Sequence, residues 1–205
     1  MAQVQFINVP GVGRAKLGDY VHRRLRGAIR PATNQSAELS FFKHTAGDAI
    51  QGDSTSSLTK YDTTLKQKDG LPPGWAAMIY YSSLELQQTM TLAEIQDINR
   101  KTLFELIIGS LDKVLDDGHA IQYATGFGIA GHSTQNATEQ WSLGVPAAGA
   151  RSVYAVPHFI PSKPRLPFEI KASWPGSASG GATAALAQTS RYTWWWNLEG
   201  IVRLP

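Results

Sequence analysis

Residues 191–203 have the sequence Arg191-Tyr-Thr-Trp-Trp-Trp-Asn-Leu-Glu-Gly-Ile-Val-Arg203, which predicts a β-strand. Because side chains alternate along a strand, Tyr192, Trp194 and Trp196 would share one face and Trp195 would lie on the other. Each indole ring holds on the order of 200 Å² of surface, so both faces need cover. The rings could belong to a core strand, a subunit interface, or a platform for bases, sugars or a membrane interface. We favour the core or the interface, and we assign Trp194, Trp195 and Trp196 to subunit contacts.

The chain from residue 36 onward shows mostly strand patterns. Residues 76–86 alternate so that four side chains share one face, namely Met78, Tyr80, Leu84 and Leu86. Apolar runs at 103–108, 152–160 and 166–173 and weaker patterns at 38–44 and 57–65 predict further strands. Asp116-Asp-Gly118 predicts a hairpin turn between two more. About eight or nine strands separated by Gly, Pro and Ser predict an all-β sandwich or barrel.

One short helix interrupts the strands. Thr91-Leu-Ala-Glu94 matches a capping box, in which the Thr hydroxyl and the Glu carboxylate each accept a hydrogen bond from the other residue's amide. Strand-like sequence resumes at residue 103, so the helix ends before it.

Four prolines punctuate the chain between residues 156 and 168 and disfavour regular central-strand pairing there. They are Pro157, Pro161, Pro164 and Pro167. We predict an extended crossing able to lie along a neighbouring subunit, and we assign Pro157, Pro161 and Pro164 to subunit contacts.

Positive charge is concentrated near the N-terminus. Residues 1–36 contain one acid, Asp19, and six basic residues, which are Arg14, Lys16, Arg23, Arg24, Arg26 and Arg30. The remaining residues carry 13 basic and 15 acidic side chains, so the net charge of +3 comes from this segment alone. We predict a basic N-terminal arm (residues 1–36) and a β domain (residues 37–205), with the six basic residues contacting a polyanionic surface, either nucleic acid or an anionic membrane.

The arm itself can be tested against a helical pattern. Apolar residues between 11 and 30 follow helical spacing, which predicts a basic amphipathic helix for a membrane surface or a partner, or a short helix docked on the body or on a neighbouring subunit.

The sequence offers no positive sign of catalysis. It has no cysteine, and its five histidines are not spaced as metal ligands. Gly126-Phe-Gly-Ile-Ala-Gly131 has the letters of a dinucleotide motif, but no helical pattern follows it, and we interpret it as a glycine-rich bend. The first residues do not resemble a signal peptide. We therefore expect a non-enzymatic protein with no cofactor and no metal, made in a cytoplasm.

The order of elements resembles a known family. A basic arm, about eight strands, a short capped helix between the middle strands and a small-residue stretch before the last strand resemble single jelly-roll capsid proteins of icosahedral bacteriophages, those with an internal membrane in particular. The helix 91–98, the strand 103–108 and the glycine-rich residues 123–128 carry this resemblance. It implies a single jelly roll whose arm faces inward to the membrane or the genome.

We therefore expect a structural protein of the virion capsid that assembles with many copies of itself and with other capsid proteins. Two alternatives remain. One is a carbohydrate-binding β-sandwich of a fibre or adhesin that stacks sugars on Trp195 or Trp141. The other is a nucleic-acid-binding protein that uses the arm, whose affinity would fall steeply with salt.

Overall fold

The computed structural model describes residues 6–9, 13–35, 37–68, 70–87, 90–109, 113–123, 152–161, 167–174 and 186–203. Its strands are, in chain order, β1 (Phe6–Val9), β2 (Gly13–Lys16), β3 (Tyr20–Ile29), β4 (Asn34–Gln35), β5 (Leu39–Phe41), β6 (Ala49–Ile50), β7 (Asp53–Ser57), β8 (Ala76–Leu86), β9 (Leu103–Ile108), β10 (Lys113–His119), β11 (Ser152–Ile160), β12 (Phe168–Ser173), β13 (Leu186–Ala187) and β14 (Trp194–Arg203). Within these ranges the one α-helix is α1 (Leu92–Lys101), between β8 and β9.

Two four-stranded antiparallel sheets form the body of the protein. The first sheet has the strand order β11–β8–β14–β3, and the second has the order β10–β9–β12–β5. Three two-stranded pairs, β1–β2, β4–β13 and β6–β7, complete the pairing among the described strands. One cluster of buried side chains draws on both four-stranded sheets, so the sheets are the two layers of a sandwich. The predicted all-β class is confirmed.

Strand β14 supplies the centre of this core. Trp194 and Trp196 are 0% and 1% exposed. The Trp196 ring lies 4.6 Å from the Phe104 ring of the second sheet and 4.8 Å from the Tyr123 ring, measured between centroids. The predicted alternation of faces along β14 is confirmed. The assignment of Trp194 and Trp196 to subunit contacts is wrong, because the chain's own core leaves them no surface for a neighbour.

Strand β8 departs from simple alternation. Its pairing with β14 shifts where Glu199 faces Tyr81 and Gly200 faces Ile79, so Tyr80 is an extra residue, as in a β-bulge. The bulge reverses the faces: Ala77 and Ile79 enter the core before it, and Leu84 and Leu86 enter after it. The predicted common face of Met78, Tyr80, Leu84 and Leu86 is therefore wrong, because an inserted residue moves every later side chain to the opposite face.

The capping box of α1 is confirmed and extends beyond the helix. The Thr91 amide donates to Glu94 Oε2 at 2.7 Å, and the Thr91 hydroxyl accepts from the Glu94 amide at 3.3 Å. The other oxygen, Oε1, accepts from the amide and the hydroxyl of Thr189, at 2.6 and 2.7 Å. Burial raises the pKa of Glu94, but the hydrogen bonds from Thr189 and Thr91 outweigh it and hold that pKa below its ordinary value. The carboxylate thus ties the helix N-terminus to the segment that enters β14.

Two local predictions near the sheet edges are wrong. Residues 20–29 form strand β3, not a helix, and β3 pairs with β14 along its whole length, from Tyr20–Arg203 to Ile29–Trp194. Part of the predicted arm therefore belongs to the first sheet, because the backbone of β14 offers an antiparallel partner that a sequence pattern does not reveal. Likewise, Asp116 and Asp117 lie within β10, paired with Leu106 and Glu105, and do not form a turn.

The bulge generates a first prediction. A Cβ atom at Gly200 would overlap the carbonyl oxygen of Met78 in the neighbouring strand, so Gly200→Ala should force β8 and β14 apart. We expect a loss of at least about 2 kcal/mol in the free energy of unfolding, measured by urea denaturation.

Gly18→Ala is the matched control, because a Cβ atom there has no neighbour within 4 Å. It should change the free energy of unfolding by less than about 0.5 kcal/mol. Equal stability of the Gly200→Ala and Gly18→Ala proteins would contradict the strand register given above.

Candidate partner-binding surfaces

Two arginines of β3 already have acidic partners in the first sheet. Arg24 forms an ion pair with Glu199 of β14, whose side chain is 4% exposed. Arg26 lies 3.1 Å from Glu85 of β8, measured between Nη2 and Oε2. Both acids occupy strands of the same sheet as β3, and their charges offset the two arginines. These two positions are therefore poor candidates for contact with an outside polyanion.

Arg23 has an aromatic partner instead of an acid. Its guanidinium carbon lies 4.7 Å from the centroid of the Trp75 ring, and the ammonium of Lys66 lies 5.6 Å from the same ring. Two cations therefore contact one indole, an arrangement that covers part of Trp75, which is only partly buried.

Arg30 belongs to a buried carboxylate site just beyond β3. Asp53, 4% exposed, lies 3.2 Å from Arg30 and 3.1 Å from Arg191. It also accepts hydrogen bonds from the hydroxyls of Thr55 at 2.6 Å and Ser56 at 2.8 Å. Hydrogen bonds from Thr55 and Ser56 and the charge of Arg191 lower the pKa of Asp53 to about 2, against an opposing effect of burial. Asp53 thereby joins the end of β3 to β7 and to the segment before β14.

Arg14 and Lys16 are the two predicted contact residues that keep exposed charges with no ion-pair partner among the described residues. Both lie on β2 and line a groove of about 330 Å³ at the base of the β1–β2 hairpin. We call this the basic groove, and Phe6, Asp19, Tyr20 and Arg203 also line it. Phe6 is 45% exposed, and the Arg14 guanidinium lies 4.3 Å from the centroid of its ring.

Arg203 is a member of the basic groove that sequence reasoning missed. It lies at the opposite end of the chain from Arg14, and it reaches the groove because the last residue of β14 pairs with Tyr20, the first residue of β3. The signal that could have found it is the antiparallel pairing of two ten-residue strands, which brings the end of one to the start of the other.

A second pocket lies where the edge strands β10 and β11 meet on one side of the sandwich. We call it the acidic notch. It encloses about 220 Å³, and its described lining residues are Asp116, Asp117, Gln122, Tyr123, Val153 and Tyr154, none of which is basic. The Tyr123 hydroxyl donates to Asp116 Oδ2 at 3.0 Å, which fixes that carboxylate at the wall. Asp117 is exposed, and Val153 is 67% exposed.

The environment of the notch also includes the Tyr154 and His158 side chains. The Tyr154 and His158 rings pack edge to face, 4.2 Å apart between centroids. Burial and the nearby Asp116 carboxylate raise the pKa of Tyr123, and burial does the same for Tyr154. Burial lowers the pKa of His158, against the opposing charge of Asp116. Among the described residues of the notch, the two aspartates therefore carry the negative charge, beside aromatic rings that stay neutral near pH 7.

Trp195 does not offer an open aromatic platform. It lies on the outer face of the first sheet and packs against a small buried cluster that includes Ile50 and Leu58. Its Nε1–H donates to Asp62 at 2.9 Å, and the Arg26 guanidinium lies 5.1 Å from its ring centroid. Sugar stacking on Trp195 would require this cover to move. Trp141, the other predicted sugar-stacking residue, lies outside the described residues.

The prolines are placed in part. Pro157 lies in edge strand β11, inside the interruption of its pairing with β8 between Val153 and His158, and Pro161 follows the strand. Both are half-buried. Pro164 and the glycine-rich residues 126–131 lie outside the described residues. The subunit role of Pro157, Pro161 and Pro164 stays a prediction.

The described part of the chain contains no group of three or more His, Asp or Glu side chains able to hold a metal ion. It also contains no helix long and apolar enough to cross a membrane. No protein-family model, no curated protein and no solved structure matches this chain.

The Asp53 site generates a second prediction. Asp53→Asn removes the negative charge that Arg30 and Arg191 share, so it should reduce the free energy of unfolding at pH 7. We expect a loss of only about 1 to 2 kcal/mol, because both arginines are partly exposed and recover some hydration. The pKa of Asp53 is lower in the folded state, so its contribution is complete above about pH 4 and is lost as pH falls to about 2. Denaturation at several pH values should therefore show a shallower decline for the variant over this window.

Glu38→Gln provides the control, because it breaks the more exposed ion pair with Lys171. It should cost less than about 0.5 kcal/mol. If the Asp53→Asn protein lost no more stability at pH 7 than the Glu38→Gln protein, the bridging role of Asp53 would be rejected.

Proposed function

We propose that this sandwich is a single jelly roll and that the chain is a structural protein of a viral capsid, which assembles with many copies of itself. The strand order carries the proposal. If the eight strands of the two large sheets are counted in chain order, the first sheet has the order 6-3-8-1 and the second has the order 5-4-7-2. Successive strands alternate between the sheets except at the hairpin of the fourth and fifth. Eight strands wound as two Greek keys are the definition of the jelly roll, which viral capsid domains use.

Exposed apolar side chains on the edge strand β11 also support the proposed assembly. On β11, Val153 and Val156 are 67% and 76% exposed. An exposed edge strand with uncovered apolar side chains is a site where another chain can pack. Pro157 in the same strand limits indefinite strand pairing, so contacts there would rest on side chains more than on backbone hydrogen bonds.

The basic residues take two roles in this proposal. Arg23, Arg24, Arg26 and Arg30 hold the first sheet and its neighbouring segments through the partners described above. Arg14 and Lys16, joined by Arg203, present the charge that can meet an internal membrane, a genome or an acidic face of another subunit.

Assembly is the direct test. The full chain should form closed particles or regular sheets, measured as mass by light scattering and as shape by negative-stain microscopy. A monomer or dimer at every protein and salt concentration would exclude a shell-forming role.

Deleting residues 1–16 tests the role of the hairpin in assembly without altering the sandwich, because the deletion removes β1 and β2 and leaves β3 complete. We expect an unchanged far-ultraviolet circular dichroism spectrum in the β region and impaired assembly. A deletion of residues 1–30 would instead remove all of β3 and unfold the first sheet.

A nucleic-acid-binding protein is the second candidate, favoured by the two aromatic residues, Phe6 and Tyr20, beside three cations in the basic groove. With about three phosphate contacts to a single strand, log K should fall with log salt at a slope near −2. Fluorescence anisotropy with a labelled oligonucleotide checks this, and Arg24→Gln is the control, since Arg24 is paired with Glu199. Affinity that is independent of salt would reject this candidate.

A further inference from the structure

We propose that the basic hairpin of one copy docks in the acidic notch of the next copy, with Arg14 entering between the notch carboxylates. This inference rests on the proposed self-assembly and names the contact that would drive it. It joins two surfaces that the sequence did not connect, the β1–β2 hairpin with its basic groove and the notch between β10 and β11.

The two surfaces have equal and opposite charge. The groove combines Arg14, Lys16 and Arg203 with Asp19, which leaves two positive charges. Among the described residues that line the notch, Asp116 and Asp117 are charged and none is basic, which leaves two negative charges. Some other charged residues in and beside the sheets form ion pairs within the chain, such as Lys43 with Glu169 and Lys171 with Glu38. Matched charges across an interface select the partner and its orientation.

Each surface also combines its charges with apolar or aromatic groups. On the hairpin, Phe6 is 45% exposed and lies under the Arg14 guanidinium. In the notch, the Val153 side chain is 67% exposed beside the Tyr123 and Tyr154 rings. An arginine held on an aromatic ring is partly ordered before it binds, and a site with carboxylates and aromatic faces suits a guanidinium.

The positions of the two surfaces allow the contact to repeat. The groove lies at the β3 edge of the first sheet and the notch lies at its β11 edge, so three strand spacings, roughly 14 Å, separate the two edges. The groove residue Arg203 pairs with Ala76 and the notch residue Val153 pairs with Tyr81, so the two surfaces also lie at different levels along the strands. Because the hairpin and the notch are different surfaces, the contact can pass from copy to copy head to tail, which generates rings or larger closed assemblies when the rotation closes.

The composition of the groove favours a protein partner over a polyphosphate. Asp19 lies in the groove lining with the three cations. A nucleic acid or an anionic membrane surface would bring dense negative charge against this carboxylate. A protein surface of mixed composition carries only two carboxylates to the groove and leaves Asp19 in water.

A charge exchange tests the contact in the full chain. Arg14→Glu alters the hairpin, and Asp117→Arg alters the notch at an exposed strand position that makes no hydrogen bond to Tyr123. We expect each variant alone to weaken association by about tenfold or more, measured by sedimentation velocity near physiological ionic strength. An equal mixture of the two variants should recover association to within about threefold of the original chain. In the mixture, the charge-reversed hairpin of one variant meets the charge-reversed notch of the other, and the unaltered surfaces meet each other.

Lys60→Glu is the matched control, because it reverses another exposed positive charge, outside both surfaces. It should leave association unchanged. In about 1 M salt, where the screening length is about 3 Å, the difference between the original chain and the single variants should shrink.

The outcomes separate this inference from the proposed function. If the original chain assembles and either charge variant assembles equally well, or the mixture fails to recover, the docking contact is overturned and the proposed function stands. If Arg14→Glu abolishes binding to a single-stranded oligonucleotide or to anionic phospholipid vesicles and leaves assembly intact, the groove serves a polyanion and the docking contact is again overturned. If the original chain never associates, both are overturned.

Discussion

The packing of the Trp196 ring between the two sheets is the contact on which the rest of the structure depends. Trp196 lies on the central strand of the first sheet and contacts Phe104 and Phe41 of the second, with Tyr123 at the side. Its neighbour Trp194 meets Trp174, whose Nε1–H donates to the hydroxyl of Thr102 at the end of α1. Large rings bury much area with few torsions to order, so a few of them can hold two sheets of only four strands each.

This core also dictates where the flanking strands can pair. With β14 central, β8 and β3 take its two edges, and the bulge at Tyr80 lets β8 present apolar side chains inward on both sides of the shift. Gly200 lies opposite that bulge, where no Cβ atom fits. Because glycine has no side chain, Gly200 permits the reversal of faces in β8.

Charge in the N-terminal third illustrates how folding redistributes a sequence feature. A concentration of arginines predicts an extended contact with an anionic partner, yet β3 and the residue after it place Arg24, Arg26 and Arg30 beside acids contributed by β7, β8 and β14. Among the described residues, the hairpin residues Arg14 and Lys16, with Arg203, retain exposed positive charge in the basic groove. A net charge counted along the chain thus overstates the surface available to a partner, because neutralising residues distant in sequence are close in space.

What the sequence determined by itself was local. Alternation in 191–203, the capping box at Thr91 and Glu94, and the apolar run 103–108 depend on neighbours within a few residues, and these features were predicted as they occur. Tertiary structure alone decided the bulge in β8 and the strand conformation of residues 20–29. It also placed Arg14 and Arg203 in one groove. It also decided that Trp194 and Trp196 belong to the core and that Asp116 and Asp117 line a notch. Each of these follows from pairing between segments far apart in the chain, and periodicity carries no information about which strand a given strand will meet.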